Sequence, residues 1–249
     1  MTAIFAHRGC HGVPAPRPNS VPAFRAARLS GADGVELDVR STADGEIAVL
    51  HDRAIPGVGD VTNVASADLP EDVPLLQAAL SACAGLRVNV ELKGGPRDAV
   101  PVAELLVEGE GDRRALRAGV LVSSFDPACL AAVRDVAPEL PCGLLVDWRK
   151  DALAALQHAA DLGCATLHPF VTQVDVELAA AARRLGIGLH VWTVNSDADI
   201  AAMGSLGAQA IITDRVAAAI GILRPAGAAA GRGEPGVGSP ARNGGERAG

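Results

Sequence analysis

The sequence predicts an α/β fold: a (β/α)8 barrel of the TIM type, with an extra hairpin-like strand near residues 34–51 and a short insertion. Three observations carry this expectation. Short apolar runs alternate with Ala- and Leu-rich stretches at helical period, the pattern of strands joined by crossover helices into a parallel sheet. No G-x-G-x-x-G follows the first apolar run, so the competing open, doubly wound sheet lacks its phosphate-binding turn. The length of 249 residues, with 49% hydrophobic and 20% charged, suits one barrel and excludes a wholly disordered chain.

In chain order the strand candidates are residues 3–6, 34–39, 47–50, 88–92, 120–123, 143–146, 165–167, 189–194 and 210–213. That is one more than a closed barrel holds. The surplus is traced to Thr42-Ala43-Asp44-Gly45, too short for a parallel crossover but suited to a hairpin turn. A turn centred on Ala43 and Asp44 places Glu36 opposite His51. Asn19 is expected to cap the first helix, Asp126-Pro127 to open another, and Gly186 and Gly207 to end two more. Residues 53–85 hold the short insertion. Residues 1–224 form the barrel domain, and residues 225–249, rich in Gly, Pro, Ala and Arg without apolar periodicity, are expected to be a disordered tail.

Composition narrows the function classes. A net charge of -7 repels phosphate backbones and anionic membranes, and 2% aromatic residues, with no Tyr, leave no stacking platform for single-stranded nucleic acid. Nucleic-acid binding and membrane insertion are not expected. Cys10, Cys83, Cys129, Cys142 and Cys164 are scattered, odd in number and free of any C-x-x-C, so they read as reduced thiols. The first residues lack the charged and apolar regions of a leader, and the expected location is the cytoplasm.

In a barrel enzyme the chemistry sits just past the C-terminal ends of the strands. The first candidate strand ends in His7-Arg8-Gly9, the second carries Glu36-x-Asp38, the third ends in His51-Asp52 and the fourth in Glu91-x-Lys93. Side chains alternate along a strand, so Glu36 and Asp38 share one face, as do Glu91 and Lys93. Taken singly, a histidine is usually a packed or exposed residue, and Glu91 with Lys93 is an ordinary ion pair. Three carboxylates gathered at strand ends are costly to desolvate without compensation, and one divalent cation supplies it. Oxygen-only ligands suit Mg²⁺ or Ca²⁺ rather than zinc. His7 and His51 are then free for acid–base work, and Arg8 and Lys93 add the positive charge that an anionic phosphoryl group requires.

These residues carry a resemblance. The stretches His7-Arg8-Gly9, Asn19-Ser20 with Ala23-Phe24, Gly31-Ala32-Asp33-Gly34-Val35-Glu36-Leu37-Asp38-Val39, Thr42-x-Asp44-Gly45, His51-Asp52, Glu91-Leu92-Lys93, Trp192-Thr193-Val194-Asn195 and Thr213-Asp214-Arg215 run in the order of the glycerophosphodiester phosphodiesterase family, metal-dependent barrel enzymes that the chain resembles. The resemblance implies Glu36, Asp38 and Glu91 as metal ligands, His7 and His51 as general acid and base, Arg8 and Lys93 as phosphate contacts and Trp192 as a wall of the substrate pocket. It further implies hydrolysis of a small glycerophosphodiester to glycerol 3-phosphate and an alcohol through a cyclic phosphate.

Two departures from the family pattern bear on substrate selection. Pro18 stands where the family has Glu, and Arg53-Ala54-Ile55-Pro56-Gly57 replaces its usual Leu-x-Arg-Thr. Cys10, His11 and His168 either line the pocket or do not, and Trp148 also follows a strand candidate. Competing readings are a lysophospholipase D or sphingomyelinase D-like enzyme, a catalytically silent phosphodiester-binding protein, and a sugar-phosphate isomerase or aldolase. The silent binder leaves the histidine pair without purpose, and the isomerase leaves the three carboxylates unexplained.

Overall fold

A computed structural model describes residues 1–12, 16–107 and 119–225; the tail expected at 225–249 lies outside the described residues from 226 onward. Strands β1 (Ala3–His7), β2 (Gly34–Ser41), β6 (Arg87–Leu92), β7 (Val120–Ser124), β8 (Cys142–Leu145), β9 (Thr166–His168), β10 (Gly188–Val191) and β11 (Ala210–Thr213) are parallel, each bonded to the next. β11 returns to β1 with Ala3 opposite Ala210, which closes the barrel. Helices α1 (Val21–Leu29), α2 (Leu76–Ala82), α3 (Pro96–Val107), α4 (Pro127–Val136), α5 (Ala152–Asp161), α6 (Val176–Leu185), α7 (Asp197–Leu206) and α8 (Val216–Leu223) follow the strands in turn.

Strand alternation sorts the residues into two environments. In β2, Val35, Leu37 and Val39 join the large apolar layer shared with the helices, while Gly34, Glu36 and Asp38 take the other face. The barrel interior keeps a small apolar plug of Ala3, Phe5, Ala210 and Ile212. Among the described residues, no helix is long and apolar enough to cross a membrane.

The extra strand is β3 (Ile47–Val49), antiparallel to β2. Its register differs from the expected one, because Val39 pairs with Val49, Arg40 with Ala48 and Ser41 with Ile47. The loop contains three residues, closed by the Thr42 amide donating to Glu46 O at 2.9 Å, with Gly45 at φ 84. A left-handed glycine at the third loop position is the ordinary solution for such a hairpin, and it centres the turn on Asp44. Glu36 therefore does not face His51; it pairs with His7 of β1 and Asn89 of β6.

Three further expectations are corrected. Ser20, not Asn19, caps α1, since Asn19 has φ 58 and an N-cap needs extended backbone. The strand expected at 189–194 ends at Val191, with Trp192 adding only an isolated parallel bridge to Phe170 in the same register. Within residues 53–85, a two-residue hairpin of β4 (Ala54–Ile55) and β5 (Gly59–Asp60) is inserted, but α2 belongs to the barrel's own helical layer. Asp126, Gly186 and Gly207 cap helices as expected.

Candidate active site

The end of β1 folds back sharply. Arg8 adopts φ 55 and Gly9 φ 83, and a Cβ on Gly9 would stand 2.8 Å from the Ala23 carbonyl carbon, so only glycine lets the turn press against α1. The left-handed Arg8 costs about 1–3 kcal/mol, the kind of strain that persists where surrounding bonds impose it. Here they do: the Arg8 amide donates to Glu36 Oε2 at 3.0 Å, and Arg8 O accepts from the Asn19 amide at 2.9 Å. Asn19 in turn clamps Asp38, donating through Nδ2 to Oδ2 at 2.7 Å and accepting the Asp38 amide at 3.2 Å.

Glu36, Asp38 and Glu91 are buried, and one oxygen of each lies within 4.8 Å of the others. Arg8 Nε stands 3.2 Å from Asp38 Oδ2, and Lys93 Nζ lies 3.2 Å from Asp38 Oδ1 while also pairing with Glu91. Burial drives the Glu36 carboxyl well above its ordinary range, and the charges of Asp38 and Glu91 push the same way. Burial likewise raises Glu91, with Asp38 adding to it. Asp38 goes down: burial opposes its charge, but Lys93, Arg8 and the Asn19 bond together outweigh that cost. Three carboxylates against two cations leave one negative charge in excess, and Glu36 bears the strain of it.

Two histidines lie near the cluster, each held by an aspartate. His7 Nδ1 is 2.8 Å from Asp214 Oδ1, and its Nε2 lies 4.0 Å from Glu36 Oε2. His51 Nδ1 is 2.7 Å from Asp52 Oδ1. Burial opposes the Asp214 charge, but bonds from His7 and Asn195 hold its carboxyl down to about 2; Asp52 is also lowered, chiefly by the His51 bond. Ionised carboxylates only accept, so both rings donate from Nδ1 and leave Nε2 as the reactive nitrogen. Arg40 fastens the surroundings, donating through Nε to His51 O at 2.9 Å and through Nη1 to Lys93 O at 3.2 Å.

A cleft of about 180 Å³ opens beside Asp38, lined by Arg8, Asn19, His51 and Asp52 and, from the insertion, by Ile55 and Pro56. Pro18 is an exposed part of its rim. Trp192 is half-buried, donates to His168 O at 2.8 Å and touches Phe125 edge-on at 5.5 Å between centroids; Phe125 in turn lies 5.8 Å from Lys93 Nζ. His168 is fully buried in the barrel, bonded to Thr166 and stacked on His190 at 4.8 Å, and takes no part in the cleft. Trp148 is exposed under Arg149, and burial raises the Cys10 thiol. His11 lies beside His7, its Nε2 3.3 Å from Asp214 Oδ1.

Three residues of this constellation had no role in the site assigned from the sequence: Asn19, read only as a helix cap, Arg40 and Asp214. Asp214 follows the strand 210–213 directly, so the signal that marked His7 and His51, a polar residue just past an apolar strand, marks it as well.

A closed barrel whose strand ends gather buried carboxylates, two cations and two aspartate-held histidines is an enzyme of the (β/α)8 class, equipped for an anionic ester. Residues 7–218 match the model of the glycerophosphoryl diester phosphodiesterase family. The chain is 29% identical over 247 residues to a glycerophosphodiester phosphodiesterase of Caldanaerobacter subterraneus, covering 91% of this chain and 99% of that one. It is 30% identical over 243 residues to the Bacillus altitudinis enzyme of the same name, covering 86% and 95%. Its fold superimposes on an Oleispira antarctica phosphodiesterase solved with the product sn-glycerol-3-phosphate, at TM-score 0.74 and 22% identity over 88% of this chain and 97% of that one. The chain belongs to the glycerophosphoryl diester phosphodiesterase family.

Proposed function

We propose that this chain hydrolyses glycerophosphodiesters to glycerol 3-phosphate and a free alcohol, with His7 and His51 as acid–base pair and with one divalent cation, Mg²⁺ or Ca²⁺, held by Glu36, Asp38 and Glu91. The observation that carries the reading is the pair of aspartate-held imidazoles, each engaged through Nδ1, near the carboxylate cluster.

The cluster fits a hard cation. Glu36 Oε1 is buried without a hydrogen-bond donor, and Asp38 Oδ1 and Glu91 Oε1 have only the Lys93 ammonium beside them. All ligand atoms are oxygens, the donor set of Mg²⁺ and Ca²⁺. When bound, the cation polarises phosphoryl oxygens and offsets charge that develops on them. Arg8, whose guanidinium reaches the cleft while its Nε pairs with Asp38, and Lys93, beside Asp38 and Glu91, bring positive charge to the cluster.

One Nε2 accepts the proton of a glycerol hydroxyl as that oxygen attacks phosphorus, and the other donates a proton to the departing alcohol oxygen. The product is a cyclic phosphate. With the roles exchanged, the first imidazole returns its proton to the glycerol oxygen as the second takes one from water, which opens the ring to glycerol 3-phosphate. Trp192, with Phe125, forms the wall nearest Lys93. The chemistry takes place on a small soluble diester.

The test is an assay of tag-free protein on glycerophosphocholine and related diesters, with chelator and then with Mg²⁺ or Ca²⁺ restored. Release of glycerol 3-phosphate that stops on chelation and returns with either ion supports the reading. Undiminished turnover in metal-stripped protein refutes the assigned role of the cluster.

A further inference from the structure

We propose that His7, His11 and Asp214 form a second metal site, selective for a borderline divalent ion of the Zn²⁺ type, and that its occupation switches the hydrolase off.

The three donors are already gathered. His7 Nδ1 lies 2.8 Å and His11 Nε2 3.3 Å from the same oxygen, Asp214 Oδ1, and all three ligand atoms fall within 4.8 Å of one another. Ligands on a tetrahedral zinc with bonds of about 2.0–2.1 Å are about 3.3 Å apart, so only small side-chain adjustments separate this cluster from a coordinating geometry. His11 Nε2 is screened from solvent and makes no hydrogen bond, although it lies 3.3 Å from Asp214 Oδ1, which leaves a buried nitrogen beside the shared carboxylate without a partner.

The carboxylate is held as a metal ligand needs to be. Asn195 donates through Nδ2 to Asp214 Oδ2 at 2.7 Å and accepts the Asp214 amide through Oδ1 at 3.0 Å, a two-point clamp that turns Oδ1 toward both imidazoles. Outer partners of this kind fix ligand orientation and raise affinity. The three side chains are 20%, 23% and 34% exposed, so the cluster lies near the protein surface. Donor chemistry separates the two sites. Glu36, Asp38 and Glu91 offer only oxygen and suit hard cations, whereas two imidazoles with one carboxylate favour zinc and its neighbours.

Occupation has a definite consequence for His7. Because ionised Asp214 can only accept, the neutral His7 ring donates its proton from Nδ1 and keeps the lone pair on Nε2. Coordination through Nδ1 commits that nitrogen's lone pair to the metal, so the neutral ring's single proton moves to Nε2. Nε2 then has no lone pair with which to accept another proton. The imidazole is frozen in one protonation state, and a residue that must alternate between acid and base is lost. This inhibitory half of the proposal rests on the catalytic reading of His7; the binding half does not.

The experiment uses the full, tag-free chain with Mg²⁺ or Ca²⁺ in millimolar excess to fill the carboxylate cluster. Zn²⁺ is titrated by calorimetry, and Co²⁺, as a coloured probe of the same site, by visible absorption. One equivalent of Zn²⁺ is expected to bind, with Co²⁺ bands of nitrogen and oxygen ligation, and turnover is expected to fall in step with occupancy. His11→Ala should retain wild-type turnover without Zn²⁺, lose the Co²⁺ spectrum and raise the half-inhibitory Zn²⁺ concentration at least about ten-fold. Circular dichroism checks its fold, His11→Gln provides a bulkier second variant, and Cys10→Ser should leave the Zn²⁺ response unchanged. Equal Zn²⁺ binding by wild type and both His11 variants overturns the site; binding without inhibition overturns the switch. If the chain hydrolyses none of the diesters tried, calorimetry and the Co²⁺ spectrum still decide whether the site exists.

Discussion

Acid should destabilise this protein through His190, a residue beneath the active site rather than in it. Burial pushes the His190 imidazole down to about 4; a bond with Gln209 opposes the shift and the charge of Arg87 adds to it. Its ring is enclosed by His168 at 4.8 Å and Phe5 at 5.6 Å, with Gln209 Oε1 3.2 Å from Nε2. In the unfolded chain the same imidazole titrates near 6.5. Between these values the unfolded state binds a proton that the folded state refuses, so this contribution is complete above about pH 6.5 and is lost as pH falls toward 4. The gap corresponds to about 3 kcal/mol in full, of which about 2 kcal/mol is gone by pH 5. In a domain of this size that is a fall in Tm of about 4–8 °C.

His190→Gln isolates the effect, because glutamine retains a donor for Gln209 and does not titrate. Thermal melts of both proteins from pH 7.5 to 5 should show the variant somewhat less stable at the alkaline end and the two curves converging or crossing on acidification. Glu36 and Glu91, raised by burial, act with the opposite sign, but they are present in both proteins and cancel in the difference. His168, lowered first by burial and then by the charge of His190, is relieved in part by the same substitution and reinforces the result. Parallel Tm curves would refute the reasoning, since they would mean that the buried ring costs nothing to protonate.

His7→Ala and His51→Ala should each lower kcat by about 10²–10⁴ with little change in KM, and the double variant should lose little more than the worse single one, as stopped-time product assays would show. Asn19→Ala removes the clamp on Asp38, and the Mg²⁺ or Ca²⁺ concentration for half-maximal activity should rise about 10- to 100-fold; an unchanged metal dependence would assign Asn19 to the turn alone. Deletion of residues 226–249 should leave Tm and turnover nearly unchanged, because that segment carries no apolar period, and a loss of either on truncation would count against it.

The barrel was legible because its signals are local. Alternation within β2 puts Glu36 and Asp38 on one face whatever the rest of the chain does, and apolar runs followed by His7, His51 and Lys93 mark the working end of the sheet. What escaped depends on register and closure. Asp214 meets His7 across 207 residues because β11 returns to β1, a contact no spacing reveals. One extra residue in the Thr42–Glu46 turn shifted the β2–β3 pairing and removed the expected meeting of Glu36 with His51. Asn19 looked like a cap because its type suits one, but the reversal at Arg8 and Gly9 sets it at φ 58 and turns its amide toward Asp38. For His168, alternation indicates only that the side chain faces inward; depth within the barrel decides that it stacks on His190 below the cleft.

The placement of Arg8 and Lys93 changes the meaning of the site's charge. From the sequence both read as phosphate contacts, yet both also pair with Asp38, and Lys93 with Glu91. Their two positive charges are therefore partly spent on three carboxylates, and the cluster with all three ionised carries one negative charge in excess. A phosphodiester carries one negative charge of its own, so the fully ionised cluster opposes the substrate on balance. Adding a divalent cation reverses the sum to one positive charge, lowers the strained Glu36 carboxyl and leaves Arg8 and Lys93 free to turn their remaining donors toward phosphate. On this account the proposed cation is needed before any bond is made or broken: it converts a cluster that rejects an anion into one that holds it between two imidazoles.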